Sequence, residues 1–227
     1  PPVWNINTNY FGWNLFYYIG GSPGLVWFQD PNFKNSNSFS KREHWHKDTD
    51  STHADAVDLT SWSGHNNYNY QSVPGWHFFR NNKSCIGLVL SDTGLGNTDA
   101  DWAIFDTCAS LYTHDPNDCN SLKNDLLSNV PGGRCAHMFL GFVNTASWSW
   151  DDWTDHGEYF AKRLNKVGIK QAWFDYCKYR QPSTTYVRVF YAEDCKDESL
   201  AGPGPIEVRR DPTKDSPWTY EDYPPPP

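Results

Sequence analysis

Two segments of the sequence end in residues that together could carry out nucleophilic chemistry. Residues 56–63 alternate like a strand and lead into Gly64 and His65, while the apolar run Trp102–Asp106 is followed two positions later by Cys108. Parallel strands present their carboxyl ends at one edge of a sheet, where open α/β sheets bind ligands. A thiol becomes nucleophilic at neutral pH when an imidazole takes its proton or stabilises the thiolate. The pattern predicts a His65/Cys108 dyad, with backbone amides near Gly64 and Cys108 stabilising an oxyanion.

Three further residues are candidates for supporting this dyad. Asp106 at the end of the second segment, or Asp58 within the first, could orient His65 as the acid of a catalytic triad does. Carboxylates at strand ends also bind loop amides, so both roles stay open. His137 begins a strand expected next to the one that carries Cys108. It either faces the site or is a hydrogen-bonded structural histidine.

Both members of the dyad also have structural interpretations. The six cysteines are Cys85, Cys108, Cys119, Cys135, Cys177 and Cys195. An even count is compatible with complete disulfide pairing, in which Cys108 would be a half-cystine. Cys108 could instead be a buried apolar thiol, and His65 a strand-end histidine hydrogen-bonded into its loop.

Two polar segments contain residue types that bind metal ions. Residues 44–55 include His44, His46 and His53 together with aspartates, and alternating residues of a strand point the same way. Residues 92–99 resemble a calcium loop in composition but not in ligand spacing. Because neither spacing is diagnostic, we expect solvated loops, no metal and no cofactor, and keep the three histidines as the metal candidates.

The elements that must position these residues alternate between strands and helices. Strand patterns cover 56–63, Trp102–Asp106, Met138–Val143 and Tyr186–Tyr191, and helical patterns cover Ser121–Asn129, Asp151–Val167 and Lys170–Tyr179. This alternation predicts an α/β fold, a three-layer sandwich whose mostly parallel sheet carries helices on both faces.

The same pattern predicts one domain with two atypical segments. The domain covers residues 1–199, in which residues 21–54 are rich in Gly, Pro, Asn, Ser and Asp and form a long loop or insertion. Residues 200–227 are rich in proline and predict an extension that is polyproline-like or lies over the surface.

Composition excludes two classes of partner and indicates a compartment. The net charge is −8 without any basic run, so the chain lacks the cationic surface of a nucleic-acid binder. No window approaches the roughly 20 apolar residues of a membrane span. Six cysteines in a Lys-poor, aromatic-rich chain, with a glycosylation triplet at 82–84, favour an oxidising, extracellular or cell-surface location.

The two strand-end motifs resemble those of the caspase, legumain and gingipain group of cysteine peptidases. Members of that group have a hydrophobic strand ending in Gly-His, a spacer, and a hydrophobic strand ending in Cys. The resemblance implies a caspase-like fold with His65 as the catalytic histidine and Cys108 as the nucleophile, 43 residues apart. The chain departs from the family pattern at Asn66, where Gly is usual, and at Thr107, where a small residue is typical.

A closer resemblance, over most of residues 50–192, is to an extracellular microbial family of unknown function. The shared motifs are Asp58 to His65, Trp102 to Cys108, His137 to Phe142 and Ala172 to Phe174. This resemblance implies the same caspase-like fold and no particular substrate.

The expected function is that of a secreted cysteine-peptidase-like protein that acts on a peptide or protein substrate. The alternative is a catalytically inactive extracellular structural or binding protein, such as the subunit of a surface assembly or filament. Self-association through the Pro-rich and aromatic surfaces would then replace catalysis.

Overall fold

A computed structural model describes the parts of the chain that build the core. The described residues are 48, 51, 55, 59–63, 75–79, 85–89, 92–98, 100–113, 119–128, 130, 133–146, 156–200 and 211–224. Almost all of the predicted long loop 21–54 lies outside them, as do Gly64, His65 and the glycosylation triplet.

Seven strands and three α-helices make up the described fold. The strands are β1 Leu59–Ser63, β2 Gly75–Phe79, β3 Cys85–Val89, β4 Trp102–Asp106, β5 Met138–Phe142, β6 Val187–Ala192 and β7 Trp218–Tyr223. The helices are α1 Cys119–Leu127, α2 His156–Leu164 and α3 Ile169–Arg180. Within the described ranges, no helix has the length and apolar character needed to cross a bilayer.

Five of the strands form one sheet in the order β1-β4-β5-β6-β7, and β2 and β3 form a separate antiparallel pair. The predicted α/β class is confirmed. The sheet is parallel from β1 through β4 to β5 and antiparallel from β5 through β6 to β7, so the prediction of a mostly parallel sheet holds for three strands only.

The number of helices between successive strands explains where the sheet changes from parallel to antiparallel. The single described helix between β4 and β5 returns the chain to the end at which β4 began, and β5 is parallel to β4. Two helices, α2 and α3, lie between β5 and β6 and are joined by the short connection 165–168. Because a short connection makes the two helices run in opposite directions, the chain re-enters the sheet at the end where β5 stops. Strand β6 is therefore antiparallel to β5.

The core consists of two apolar clusters on opposite faces of the sheet. Trp102 and Ile104 of β4 belong to the cluster that contains residues of α2 and α3, whereas Ala103 and Phe105 belong to the cluster that contains residues of α1. Successive strand residues point to opposite faces, so α1 packs on one face while α2 and α3 pack on the other. All five residues of β4 are buried, which explains its unbroken apolar sequence.

Part of the Pro-rich segment 200–227 is a strand of the sheet. β7 pairs with β6 along its whole length. Trp218 stacks on Phe190 of β6 at 5.0 Å between ring centroids. The nearly fully buried Arg188 of β6 forms a two-pronged ion pair with Asp222 of β7, at 2.6 and 2.7 Å. The proline content did not indicate this strand because Pro217 and Pro224 flank it, and proline restricts the chain mainly at its own position and the one before.

Two glycines with left-handed backbone angles allow a matched test of packing around the sheet. Gly96 has φ 91°, and a Cβ there would lie 1.8 Å from the backbone nitrogen of Ala136; Gly133 has φ 85° with nothing within 4 Å of a Cβ. Gly133→Ala should cost only the left-handed strain, about 1 kcal/mol of unfolding free energy. Gly96→Ala should cost more than about 3 kcal/mol, because backbone must also move. Urea denaturation of both variants measures the difference, and equal losses would contradict the close approach at Gly96.

Candidate functional site

The predicted dyad is carried by two neighbouring parallel strands. β1 pairs with β4 in a register that places Ser63 beside Asp106, the last residue of each strand. Cys108 follows Asp106 by two residues, and Gly64 and His65 directly follow β1. The structure thus aligns the carboxyl ends of the two strands, while Gly64 and His65 themselves lie outside the described residues.

The turn that carries Cys108 is fastened to the end of β5 by hydrogen bonds. The Ser110 hydroxyl donates to the Phe105 carbonyl at 3.0 Å and accepts from the Phe142 amide at 2.9 Å. The Ala109 amide donates to the Asn144 carbonyl at 2.9 Å. These bonds join the end of β4 to the end of β5 and fix the backbone on both sides of the thiol.

The residue after Cys108 has an unusual backbone conformation. Ala109 has φ 51°, the left-handed region, which costs a non-glycine residue about 1 kcal/mol. The close approach of Gly141 contributes to this arrangement, since a Cβ at Gly141 would lie 2.4 Å from the Ser110 hydroxyl oxygen. The surrounding structure therefore holds the turn in a strained form, as often occurs at functional sites.

The Cys108 thiol is half-buried and is not in a disulfide. Its Sγ donates a weak hydrogen bond to the Ala146 carbonyl, 3.7 Å away. Burial raises the pKa of the thiol, and the negative charge of Asp106 raises it further, against the lowering effect of the Ala146 contact. In these described surroundings the thiol is protonated at neutral pH, so a nucleophilic role requires an additional group that takes the proton.

The Asp106 side chain is completely buried. Burial is the main cause of the raised pKa values of Tyr176 and the Cys177 thiol in helix α3, and the charge of Asp106 adds to both. Asp106 therefore lies close to the α3 side of the sheet as well as to Cys108. Its predicted role in orienting His65 stays a prediction, because the imidazole is outside the described residues.

His137 lies at the other end of the sheet from Cys108. It directly precedes Met138, which pairs with Trp102 at the start of β4. Measured along the strand direction, His137 is therefore five extended residues, about 16 Å, from Asp106. Its Nδ1 is 2.9 Å from an oxygen of the buried Glu198. Burial lowers the pKa of His137, but the hydrogen bond and charge of Glu198, with Asp101 and Asp211, outweigh it and the pKa is raised. Of its two interpretations, the hydrogen-bonded structural histidine describes these surroundings, and His137 does not contact the Cys108 turn.

The metal candidates of the first polar segment are not part of a described site. His44, His46 and His53 lie outside the described residues. Asp55, from the same segment, is buried and accepts hydrogen bonds from the amides of Gly96, Thr98 and Ala100 at 2.7, 2.8 and 3.0 Å. The segment 92–99, whose composition resembles a calcium loop, is thus organised around the Asp55 carboxylate, which accepts hydrogen bonds from the loop amides.

The redox state of the cysteines is described for five of the six. Cys108, Cys119, Cys135, Cys177 and Cys195 are all outside disulfides. The side chain of Cys85 in β3 is not described. Disulfide formation and extracellular location stay predictions.

A second polar cluster, at the amino ends of β4 and β5, was not found from the sequence. Glu198 accepts a 2.7 Å hydrogen bond from the Trp102 indole as well as contacting His137. The His137 Nε2 lies 3.3 Å from Asp101 and 3.6 Å from Asp211. The sequence does contain a signal for this cluster: Asp101 and His137 each directly precede a predicted strand. In a parallel pair of strands, two such residues lie side by side.

The hydrogen bonds of the Cys108 turn can be tested with two neighbouring hydroxyls. Ser110→Ala leaves the buried Phe142 amide without its acceptor and should lower the free energy of unfolding by about 1–3 kcal/mol. Thr107→Val is the matched control, because the buried Thr107 hydroxyl makes no hydrogen bond within the described part of the chain. Its removal should change stability by less than about 1 kcal/mol. Urea denaturation measures the free energy of unfolding of both variants. A larger loss of stability for Thr107→Val than for Ser110→Ala would contradict the role of the Ser110 hydroxyl in joining β4 to β5.

Comparison with known proteins identifies a family without a known activity. Residues 26–213, most of the chain and all of the described strands except β7, match the family model described as Domain of unknown function. No curated protein and no solved structure matches the chain significantly. The chain therefore belongs to the family described as Domain of unknown function (DUF6345).

Proposed function

We propose that this protein is a secreted cysteine-peptidase-like protein in which His65 and Cys108 hydrolyse a peptide bond of a peptide or protein substrate. The observation that carries the proposal is the parallel pairing of β1 with β4, in which Ser63 and Asp106 are partners at the strand ends. Both predicted catalytic residues follow these partners by two positions.

Covalent geometry supports an encounter between the two side chains. Neighbouring strands are about 4.8 Å apart. Two residues of chain reach at most about 7 Å beyond a strand end. An imidazole and a thiol that leave adjacent strands at the same level are therefore within reach of a hydrogen bond, which is the geometry that nucleophile activation requires.

The covering of the sheet supports the caspase-like sandwich as the fold of this proposal. The apolar cluster with α1 is on one face, and the cluster with α2 and α3 is on the other. Such a double-sided covering buries the central parallel strands β4 and β5 and leaves their carboxyl ends at the edge of the sheet. The half-buried Cys108 belongs to that edge.

The proposed reaction assigns a proton transfer to His65. The imidazole takes the thiol proton of Cys108, the sulfur attacks the scissile carbonyl carbon, and backbone amides near Gly64 and Cys108 stabilise the oxyanion. His65 then protonates the leaving amine, and water hydrolyses the thioester to release the acid and regenerate the thiol. An imidazolium beside the thiolate would offset the burial and the Asp106 charge that raise the pKa of Cys108.

A second candidate function rests on the same thiol. Its raised pKa favours an unreactive Cys108 if His65 does not approach. β7 is the last strand in the order of the described sheet, and its outer edge has no partner strand among the described residues. A strand edge of this kind can pair with another chain, so the alternative is a structural or binding protein that self-associates.

Alkylation of the native protein separates the two functions. With His65 as the base, iodoacetamide should label Cys108 at pH 7 at least about tenfold faster than in His65→Ala. In the variant, labelling should be slow at pH 7 and should increase steadily as the pH rises into the alkaline range, because burial raises the thiol pKa and leaves little thiolate at neutral pH. Peptide mass spectrometry locates the label at each pH.

Cys119 is the internal control in the same experiment. It is also half-buried and outside a disulfide, and its Sγ donates to the Trp218 carbonyl at 3.3 Å. Its labelling should be the same in both proteins. If Cys108 labels equally slowly in both and only at alkaline pH, the dyad is rejected, and sedimentation of the native protein over a range of concentrations then tests self-association.

A further inference from the structure

The cluster at the amino ends of β4 and β5 places three potential metal ligands together. Asp101 precedes β4, His137 precedes β5, and Asp211 lies on the segment that leads into β7. One oxygen of each carboxylate and one imidazole nitrogen all lie within 4.8 Å of one another. The three residues come from separate parts of the chain, so the grouping is a product of the sheet and not of a local loop.

The orientation of the imidazole points to an ion. His137 is 2% exposed, and its Nδ1 contacts the Glu198 carboxylate at 2.9 Å. Its Nε2 makes no hydrogen bond within the described residues, yet faces oxygens of Asp101 and Asp211 at 3.3 and 3.6 Å. A carboxylate on one ring nitrogen, leaving the other to bind the ion, is the usual arrangement of a metal-ligating histidine.

The distances agree with a small tetrahedral ion. Zinc binds imidazole nitrogen and carboxylate oxygen at about 2.1 Å, which in a tetrahedron separates the ligand atoms by about 3.4 Å. The separations of 3.3 and 3.6 Å from Nε2 to the two carboxylates bracket that value. Calcium would require longer bonds and six or more oxygen ligands, and an imidazole suits it poorly.

Asp211 gives the cluster access to solvent. Its side chain is 41% exposed, and it lines a cavity of 240 Å³ together with Cys195, Thr213 and Asp215. Its second oxygen accepts from Arg134 at 2.9 Å, which fixes the carboxylate while the first oxygen faces His137. With three protein ligands and an open side, a fourth position remains for water.

We infer that Asp101, His137 and Asp211 form a binding site for one divalent transition-metal ion, of which zinc fits best, with Glu198 as the residue that orients His137. The other grouping, His137 with Cys195 and Glu198, is less suited, because the oxygens of Glu198 already contact the Trp102 indole and the His137 Nδ1. The site is at the opposite end of the sheet from Cys108, and the inference is independent of peptidase activity.

Zinc titration of the folded protein tests the site. The protein carries Cys108→Ala, so that this half-buried thiol does not compete, and is stripped with a chelator before calorimetric titration with zinc chloride. We expect one ion per chain, a higher Tm with zinc, and visible absorption bands of tetrahedral cobalt when Co²⁺ replaces it. Folding of the stripped protein is checked by circular dichroism.

Two cavity aspartates provide the variant and its control. Asp211→Asn should weaken zinc binding about tenfold or more, because it removes a charged ligand at a partly exposed position where folding is least affected. Asp215→Asn, which lines the same cavity outside the three ligands, should bind as the parent does. If zinc binds Asp211→Asn as tightly as it binds the parent protein, other side chains, such as His44 and His46, hold the ion. That result overturns the inference. Absence of binding to the folded parent protein at millimolar zinc overturns it as well.

Discussion

The Glu198 carboxylate is the interaction on which the arrangement of the described core depends. It is almost fully buried and contacts the Trp102 indole at the start of β4 and the His137 imidazole at the start of β5. The backbone carbonyl of Glu198 accepts from the Ile169 amide at the start of α3, at 2.9 Å. Gly168 permits this approach, since a Cβ there would lie 3.1 Å from that carbonyl oxygen. A buried carboxylate requires hydrogen-bonding partners, so the Glu198 side chain holds the starts of β4 and β5 together, and its backbone carbonyl adds the start of α3.

The residues that could bind a ligand or react lie at the two ends of β4, and apolar packing lies between them. Asp101 precedes the strand, and Asp106 and Cys108 end and follow it. Between those ends the strand is buried on both faces. Polar groups therefore occur where the strand meets the loops, and the two ends can be modified separately because apolar side chains alone connect them.

The edge of the sheet is held by a second buried charge. The Arg188 guanidinium lies on the face opposite α3, pairs with Asp222 of β7, and donates to the Thr113 hydroxyl at 3.1 Å. The Tyr220 ring lies against it, with 4.0 Å from the guanidinium carbon to the ring centroid. Removing one partner of a buried ion pair leaves the other charge uncompensated. The chain from 211 to 224 is for this reason a structural part of the sheet.

Patterns of consecutive residues were enough to predict the main elements of the core. The apolar run Trp102–Asp106 matches β4 residue for residue, and the predicted strand at Met138 and the helix at Lys170 differ from β5 and α3 only at their ends. A strand covered on both faces must be apolar throughout, and a helix covered on one face carries apolar residues at three- and four-residue steps, so both patterns can be read from consecutive residues. The parallel alignment of the strand ends before His65 and Cys108 was likewise anticipated, because it follows from strand order and connection.

The polar pairings and the edge of the sheet follow from long-range contacts that the sequence patterns do not show. Nothing local in the sequence indicates that Glu198 contacts Trp102 or that Asp222 pairs with Arg188. Strand register and helix packing set these contacts, since each joins residues far apart in the chain whose own propensities are uninformative. Strand β7 also depends on a long-range contact, because its mostly half-buried residues pair along their whole length with the edge of β6.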